Sequence, residues 1–184
     1  SSSVRYTLGR RTLDNRYDPT EGSLFEITEE YSGLGGDVNF LKTRFRSAYY
    51  KPFAFRKYVL GLRGEIGYVD GLGDKISQSA RFNLGGRRLR GFDAGGVGPR
   101  DIGSGSAVGG NKIYSGSVEI LSSLGLSDDL GMRWTVFSDF GSVWDTDYPD
   151  GVTKPNDNSM RQTLGVGLLW DTAIGPLTFF WADP

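Results

Sequence analysis

The sequence of 184 residues contains no cysteine and no histidine. Without cysteine it can form no disulfide and no thiolate nucleophile. Without histidine it lacks the commonest general base and the commonest metal ligand, so enzyme chemistry would depend on carboxylates, lysine, tyrosine or serine.

Two other features are scarce: excess charge of one sign and long apolar runs. Lysine and arginine total 21 against 22 aspartate and glutamate, a net charge of −1, so the chain lacks the basic footprint of a nucleic-acid-binding protein. No stretch approaches the roughly eighteen apolar residues that a membrane-spanning helix requires. That absence does not argue against a transmembrane β-barrel, whose strands are only half apolar.

The chain does contain many segments in which apolar and polar residues alternate, the pattern typical of β-strands with two unlike faces. The clearest is 58–68, where one face carries Tyr58, Leu60, Leu62, Ile66 and Tyr68 and the other carries Val59, Gly61, Arg63, Glu65 and Gly67. The alternation is also plain at 4–8, 41–49 and 161–171, and it is weaker at 23–31, 112–121, 132–144 and 176–182. The sequence thus predicts an all-β, antiparallel fold of about eight strands.

The predicted strands fit a barrel in a membrane better than a soluble sandwich. Several reach the roughly ten residues needed to cross a bilayer at a tilt, more than the usual five or six of a globular strand. Aromatic residues make up 13% of the chain. Many lie near predicted strand ends, where the girdles of membrane barrels form: Tyr6, Tyr31, Tyr49, Tyr68, Trp144 and Trp181.

The barrel and the sandwich differ in which face of each strand points outward. A membrane barrel turns its apolar face to lipid and its polar face to the lumen, whereas a sandwich turns its apolar faces inward. For the barrel, the lipid-facing residues would include Leu60, Leu62, Leu164, Val166 and Leu168. The lumen-facing residues would include Arg63, Glu65, Arg161 and Asp171.

Compact and long connections alternate along the chain. Compact turns are predicted at 17–22, 51–53 and 173–176, and long connections at 70–110 and 145–159. If the first strand runs inward from the cell surface, the long connections lie outside the cell and the compact turns lie in the periplasm. We find no domain boundary and predict one barrel region over residues 1–184.

The longest connection, about 69–111, has no periodicity, and a connection of roughly forty residues is long enough to be expected to have a function. Its centre reads Leu89-Arg90-Gly91-Phe92. A charged side chain in a half-wet lumen needs partners, and the planar fork of arginine can hold two carboxylates at once.

These motifs resemble those of the BamA family of outer-membrane protein assembly factors. The segment 89–92 resembles the signature of that family's sixth extracellular loop, 17–22 resembles a periplasmic turn, and 137–141 resembles its Phe-x-Asp-x-Gly strand. The segment 175–179 resembles its penultimate strand. The resemblance extends over the eighth to fifteenth strands of the family's sixteen-stranded barrel, without its POTRA domains or the first and last strands that form the lateral gate.

The resemblance implies a specific site. In the family, the loop folds back into the lumen and its arginine forms a buried salt bridge with acidic residues on two neighbouring strands. Here these would be Arg90 with Asp139 and Glu119. Strand parity supports both partners, because each carboxylate lies opposite the apolar row of its own strand.

The resemblance also implies a function: part of an insertase that folds and inserts β-barrel proteins into the outer membrane of Gram-negative bacteria. Because such an insertase works without covalent chemistry, the resemblance implies that the chain is not an enzyme and has no catalytic residues, no metal site and no cofactor. The implied partners are outer-membrane lipid, unfolded β-barrel clients and the accessory lipoproteins of the assembly complex, with no nucleic acid. The alternatives are a two-partner secretion pore or passive outer-membrane channel and, more distantly, a soluble β-sandwich binding module.

Other motifs favour competing functions less well. The glycine-rich segment 103–109 lacks the helix that follows a nucleotide-binding loop, and 145–151 lacks the spacing and closing glutamate of a calcium loop. Asp139 and Glu119 could form a glycosidase pair, but Arg90 would hold both carboxylates ionised, which is wrong for a general acid.

The long loop also predicts how the strands are arranged. Eight strands could close into a small barrel, but its interior would be filled by its own side chains and would leave no room for the loop. We therefore predict a curved, open wall in which the first and last strands do not pair with each other.

Overall fold

The computed structural model of the protein describes residues 2–33, 39–73, 75–125, 131–147, 152–153, 157–172 and 175–184. The strands in these ranges are β1 (Ser3–Arg11), β2 (Gly22–Ser32), β3 (Phe40–Phe53), β4 (Tyr58–Gly71), β5 (Arg100–Asp101), β6 (Lys112–Ser123), β7 (Met132–Trp144), β8 (Val152–Thr153), β9 (Arg161–Thr172) and β10 (Gly175–Asp183). A short 3-10 helix, Gly86–Arg88, lies between β4 and β5. No helix in the described ranges is long and apolar enough to cross a membrane.

The long strands form one antiparallel, eight-stranded sheet in the order β1-β2-β3-β4-β6-β7-β9-β10. The short β5 and β8 pair with each other. The predicted all-β fold of about eight strands is therefore confirmed. Several strands are longer than their alternation indicated, and β3 and β4 each contain 14 residues. Backbone pairing continues into strand ends such as Asp70 and Gly71, where the apolar pattern has already stopped.

The two faces of the sheet differ in the way that alternation predicts. We call the face that carries the connection 72–111 the loop face, and the opposite face the outer face. Leu62, Leu164 and Val166 are exposed on the outer face, and Leu60 and Leu168 are half-buried there. Large apolar side chains left in contact with solvent along several strands need a covering medium.

The polar residues predicted to face the lumen lie on the loop face. Glu65 forms ion pairs there with Arg88 of the loop at 3.1 Å and with Arg44 at 3.4 Å. Asp171 and Arg63 line one cavity together with Arg90. Arg161 is half-buried and shares the parity of Thr163, which is buried on this face.

The core lies between the sheet and the long connection. Its buried apolar residues come from both: Phe40, Val69, Ile76, Ala80, Phe82, Leu84, Leu89, Val97, Ile113 and Val143. No second large sheet covers the outer face in the part of the chain that the structure describes, so the second layer that a sandwich requires is missing there.

The strands β1 and β10 are the two edges of the sheet. Within the described residues β1 pairs only with β2, and β10 pairs only with β9. The sheet is thus an open wall, as predicted.

One predicted turn is wrong. Residues 51–53 belong to β3, where they pair with the start of β4, and the turn follows at 54–57. Proline suggested a turn, but near a strand end its missing N–H is tolerated. The turn has three residues with positive φ: Ala54 (49°), Phe55 (58°) and Arg56 (65°). Of the predicted turn 173–176, residues 173–174 lie outside the described ranges.

The connection 12–21, between β1 and β2, is organised by one carboxylate. Asp14 accepts backbone hydrogen bonds from Asn15 and Thr20 at 2.9 Å and from Glu21 at 3.1 Å. The Thr20 hydroxyl donates a further bond at 2.6 Å. Burial of the carboxylate works in the opposite direction, but these hydrogen bonds prevail and lower the pKa of Asp14 to about 2.

We predict that this turn loosens in acid. Because the pKa of Asp14 is lower in the folded state, its stabilisation is complete above the ordinary pKa of the carboxyl, near 4, and is lost as the pH falls through about 2. In micelles, the backbone amide NMR shifts of Thr20 and Glu21 should titrate with a midpoint near 2, and in Asp14→Asn they should not. A midpoint near 4 would contradict the hydrogen-bonded carboxylate.

Candidate functional site: the loop anchor

The connection 72–111 folds back over the loop face instead of extending away from the sheet. It pairs with itself through isolated bridges between Phe82 and Gly110 and between Leu84 and Val97. At the centre of this folded segment, the 3-10 helix Gly86–Arg88 leads into the predicted motif at 89–92. The loop therefore has a defined path that brings its motif to the sheet.

Arg90 is almost fully buried against β6 and β7. Its Nε and Nη2 atoms donate to the two carboxylate oxygens of Asp139, each at 2.7 Å, in a bidentate pair. The backbone N–H of Arg90 donates to the same carboxylate at 3.1 Å. Nη1 donates to Glu119 Oε2 at 3.2 Å, and Nη2 also donates to the Ser117 hydroxyl at 3.0 Å. The structure thus brings together Arg90, Asp139 and Glu119, the three charged residues that the family resemblance implied, and we call these three residues the loop anchor.

A second arginine completes the charge balance of this site. Arg63 of β4 donates to the Ser117 hydroxyl at 3.2 Å and to Glu119 Oε2 at 3.4 Å. The site therefore contains two arginines and two carboxylates. Such balance matters because the Asp139 and Glu119 side chains are only 1% and 8% exposed, and removing one partner from a buried ion pair is costly. Sequence parity placed Arg63 on this face but did not identify its partners.

The other residues of the motif 89–92 pack against the core and the sheet on either side of Arg90. Leu89 is fully buried in the core, and Phe92 packs against the same core. Gly91 has a φ of 95°, which favours glycine, and a Cβ atom at this position would lie 3.1 Å from Ala182 Cβ. Each residue of 89–92 therefore has a contact or a backbone conformation that suits its type.

A second anchor, which sequence reasoning missed, lies at Phe82. Its buried ring lies over Gly67 of β4, where a Cβ atom would approach Phe82 Cζ to 2.6 Å. Lys42 Nζ lies 4.4 Å from the centre of the ring and donates to the Ala80 carbonyl at 2.5 Å. The available signal was Gly67 itself, because a glycine inside a strand often marks a close approach.

We predict that Gly67→Ala releases this second anchor. The new methyl group must displace Phe82, and overpacking of this kind costs about 1–3 kcal/mol. Tryptic cleavage at the buried Arg81 should accelerate by roughly fivefold or more, since cleavage follows the population of the open loop. The control is Gly64→Ala in the same strand, where the closest atom to the new Cβ is Ser47 Oγ at 3.1 Å. Equal cleavage of the two variants would mean that Phe82 does not hold the loop.

The connection between β7 and β9 holds the loop from its other side. Asp147 accepts hydrogen bonds from Arg81 Nη2 at 2.8 Å and from the Ile76 amide at 2.9 Å. β8 in this connection pairs with β5 in the loop, and Asp145 forms an ion pair with Lys112 at 2.9 Å. Two of the three carboxylates of the segment 145–151, Asp145 and Asp147, thus contact protein cations, while its residues 148–151, which include Asp150, lie outside the described ranges.

Curated relatives of the chain are named as assembly factors. The chain is 30% identical over 177 residues to the outer membrane protein assembly factor BamA of Neorickettsia risticii, an alignment that covers 96% of this chain and 24% of that protein. It is 27% identical over 202 residues to the protein of the same name from Neisseria meningitidis serogroup B, covering 96% and 25%. The chain spans about a quarter of the length of these relatives.

A solved structure has the same fold. The crystal structure of BamA from Haemophilus ducreyi lacking POTRA domains 1–3 superposes with a TM-score of 0.86 and 25% identity, covering 99% of this chain and 38% of that chain. This similarity confirms the prediction that the open sheet is part of a barrel wall. The Omp85 superfamily domain matches residues 1–184 in full. The chain therefore belongs to the Omp85 superfamily.

Proposed function

We propose that this chain is part of an insertase that folds and inserts β-barrel proteins into the bacterial outer membrane. The proposal is supported by family membership, by relatives named as outer-membrane assembly factors and by a neighbouring structure of BamA. The observation that carries it at the level of residues is the buried network of Arg90, Asp139 and Glu119, which ties a long loop to the inside of the wall.

The mechanism that we propose is physical rather than covalent. In the whole protein, incoming strands are templated at an exposed edge of the barrel, where unpaired backbone groups recruit a partner strand. This chain contributes the wall and the anchored loop. Because the anchor joins the loop to β6 and β7, Arg90, Asp139 and Glu119 fix the position of the loop and the shape of the wall beside it.

The partners follow from the surfaces of the chain and the names of its relatives. The exposed apolar residues of the outer face suit outer-membrane lipid. Unfolded outer-membrane β-barrel proteins are the clients of the proposed activity, and accessory lipoproteins of an assembly complex are its proposed partners. No cofactor and no nucleic acid take part.

The experiment uses the full-length protein that contains this chain, reconstituted in proteoliposomes with an unfolded β-barrel client. Folding of the client is followed by its shifted mobility in unheated gels. We expect the parent to accelerate folding over empty liposomes, Arg90→Ala to do so less, and Arg87→Ala to match the parent, because Arg87 is exposed beside the motif. If the parent folds the client no faster than empty liposomes but conducts ions, the protein is a channel or secretion pore instead.

A further inference from the structure

Arg90 contacts two aromatic rings as well as its acidic partners. The central carbon of its guanidinium lies 3.4 Å from the centre of the Phe137 ring and 5.0 Å from the centre of the Phe180 ring. The two rings lie edge to face, with centres 5.6 Å apart and an angle of 90° between their planes. A guanidinium held against the faces of aromatic rings is stabilised by the ring quadrupoles, and more strongly so when water is excluded.

Two glycines of β9 make room for these rings. Gly165 pairs with Phe137 of β7, and Gly167 pairs with Phe180 of β10. A Cβ atom at Gly165 would lie 2.5 Å from Phe137 Cζ, and one at Gly167 would lie 2.5 Å from Phe180 Cδ1. Glycine weakens a strand interior, so two of them at alternating positions need a reason. The rings lying across them supply that reason.

Phe180 connects the anchor to a different part of the wall from the carboxylates. Asp139 and Glu119 lie on β7 and β6 inside the sheet, whereas Phe180 lies on β10 at its edge. The loop motif meets the same strand a second time, because a Cβ atom at Gly91 would lie 3.1 Å from Ala182 Cβ. The tip of the loop therefore joins β6 and β7 to β10, which is separated from them in the sheet by β9.

We propose that Phe180 is a positioning residue for Arg90, and that through it the loop anchor and strand β10 stabilise each other. The coupling is reciprocal by thermodynamic necessity: if β10 holds the loop in place, the docked loop also holds β10 in place. The inference concerns the chain itself and stands whether or not the proposed insertase activity is correct.

The first test asks whether the aromatic face of Phe180 holds the loop. In the full-length protein, Phe180→Leu should raise amide hydrogen exchange of segment 89–92 by roughly 3- to 30-fold, because the Arg90 side chain is 5% exposed but Phe180 is 38% exposed. Phe180→Tyr keeps the ring and should match the parent. The control is Phe179→Leu, because Phe179 is the preceding residue of β10 and lies on the outer face opposite Leu168. This variant should change the amide exchange of 89–92 by less than twofold. Exchange in Phe180→Leu at the parent rate would overturn the proposal.

A second comparison separates positioning from simple packing. In an Arg90→Ala background, Phe180→Leu should add nothing to the exchange of the loop, because the cation is gone. If the two effects are additive, Phe180 is only an apolar filler and the proposal fails.

The reciprocal measurement needs no change at Phe180, so it remains decisive if Phe180→Leu does not fold. Arg90→Ala should accelerate amide exchange in β10 at Thr178–Ala182 while leaving β1, at the other end of the described sheet, at the parent rate. Unchanged exchange in β10 would show that the loop and β10 are not linked.

Discussion

Arg90→Ala is expected to release the loop from the wall. The substitution removes both side-chain hydrogen bonds to Asp139 and the bond to Glu119, leaving Asp139 buried without a cationic partner. Breaking a buried ion pair in this way costs about 3–5 kcal/mol in a dry site and less where lumen water enters. The measurement is hydrogen exchange of a peptide covering 82–92, which contains the Gly86 amide that donates to the Phe92 carbonyl at 2.8 Å. We expect exchange to rise by roughly a hundredfold or more.

Matched variants show whether the ion pair itself is responsible. Asp139→Ala should raise the exchange of 82–92 to a similar extent. The free energy of loop opening that the double variant loses should be much less than the sum of the two single losses, since each single change already breaks the pair. Arg90→Lys keeps the charge but cannot form the bidentate pair, so its rate of amide exchange in 82–92 should lie between those of the parent and Arg90→Ala. Arg87 is an exposed arginine of the neighbouring 3-10 helix, so Arg87→Ala should leave the amide exchange of 82–92 at the parent rate. Strict additivity of Arg90→Ala and Asp139→Ala would show that they act independently.

Val118→Arg is expected to block insertion of the wall into a bilayer. Val118 is exposed on the outer face of β6, and an arginine on the lipid face near the midplane costs about 2–4 kcal/mol. The cost reflects the transfer of a charge from water to hydrocarbon, and the two residues directly opposite Val118, Leu62 and Ser138, carry no negative charge to offset it. The folded fraction of the full-length protein in lipid vesicles, read from unheated gels, should fall clearly below that of the parent.

The control places the same residue on the other face of the same strand. Ser115 lies opposite Glu65 on the loop face and lines a cavity with Arg88, so Ser115→Arg has both space and a carboxylate nearby. We expect it to insert nearly as well as the parent. Arg63→Leu is a poorer control than parity alone indicated, because Arg63 also balances Glu119. Equal insertion of Val118→Arg and Ser115→Arg would mean that the outer face does not meet lipid.

Strand existence and facing were determined by the sequence, because alternation is a local property. A residue's face follows from its parity within one strand, whatever the rest of the chain does. That is why Leu62 and Arg63 could be assigned to opposite faces, and why Asp139 and Glu119 could both be placed toward the loop. Strand ends were less well defined, as at 51–53, because proline and polar residues interrupt the pattern while backbone pairing continues.

Only the tertiary structure decided which side chains meet across the sheet. The register that sets Gly165 beside Phe137 and Gly167 beside Phe180, the approach of Phe82 to Gly67, and the contact of Asp147 with Arg81 all join residues from different strands or connections. A shift of one residue in any pairing would move these side chains to the other face without altering the alternation within a strand. The sequence by itself therefore determined the strands and their faces, and the resemblance of its motifs to a known family identified the charged residues of the anchor. The packing that encloses Arg90 depends on long-range register, which no local pattern records.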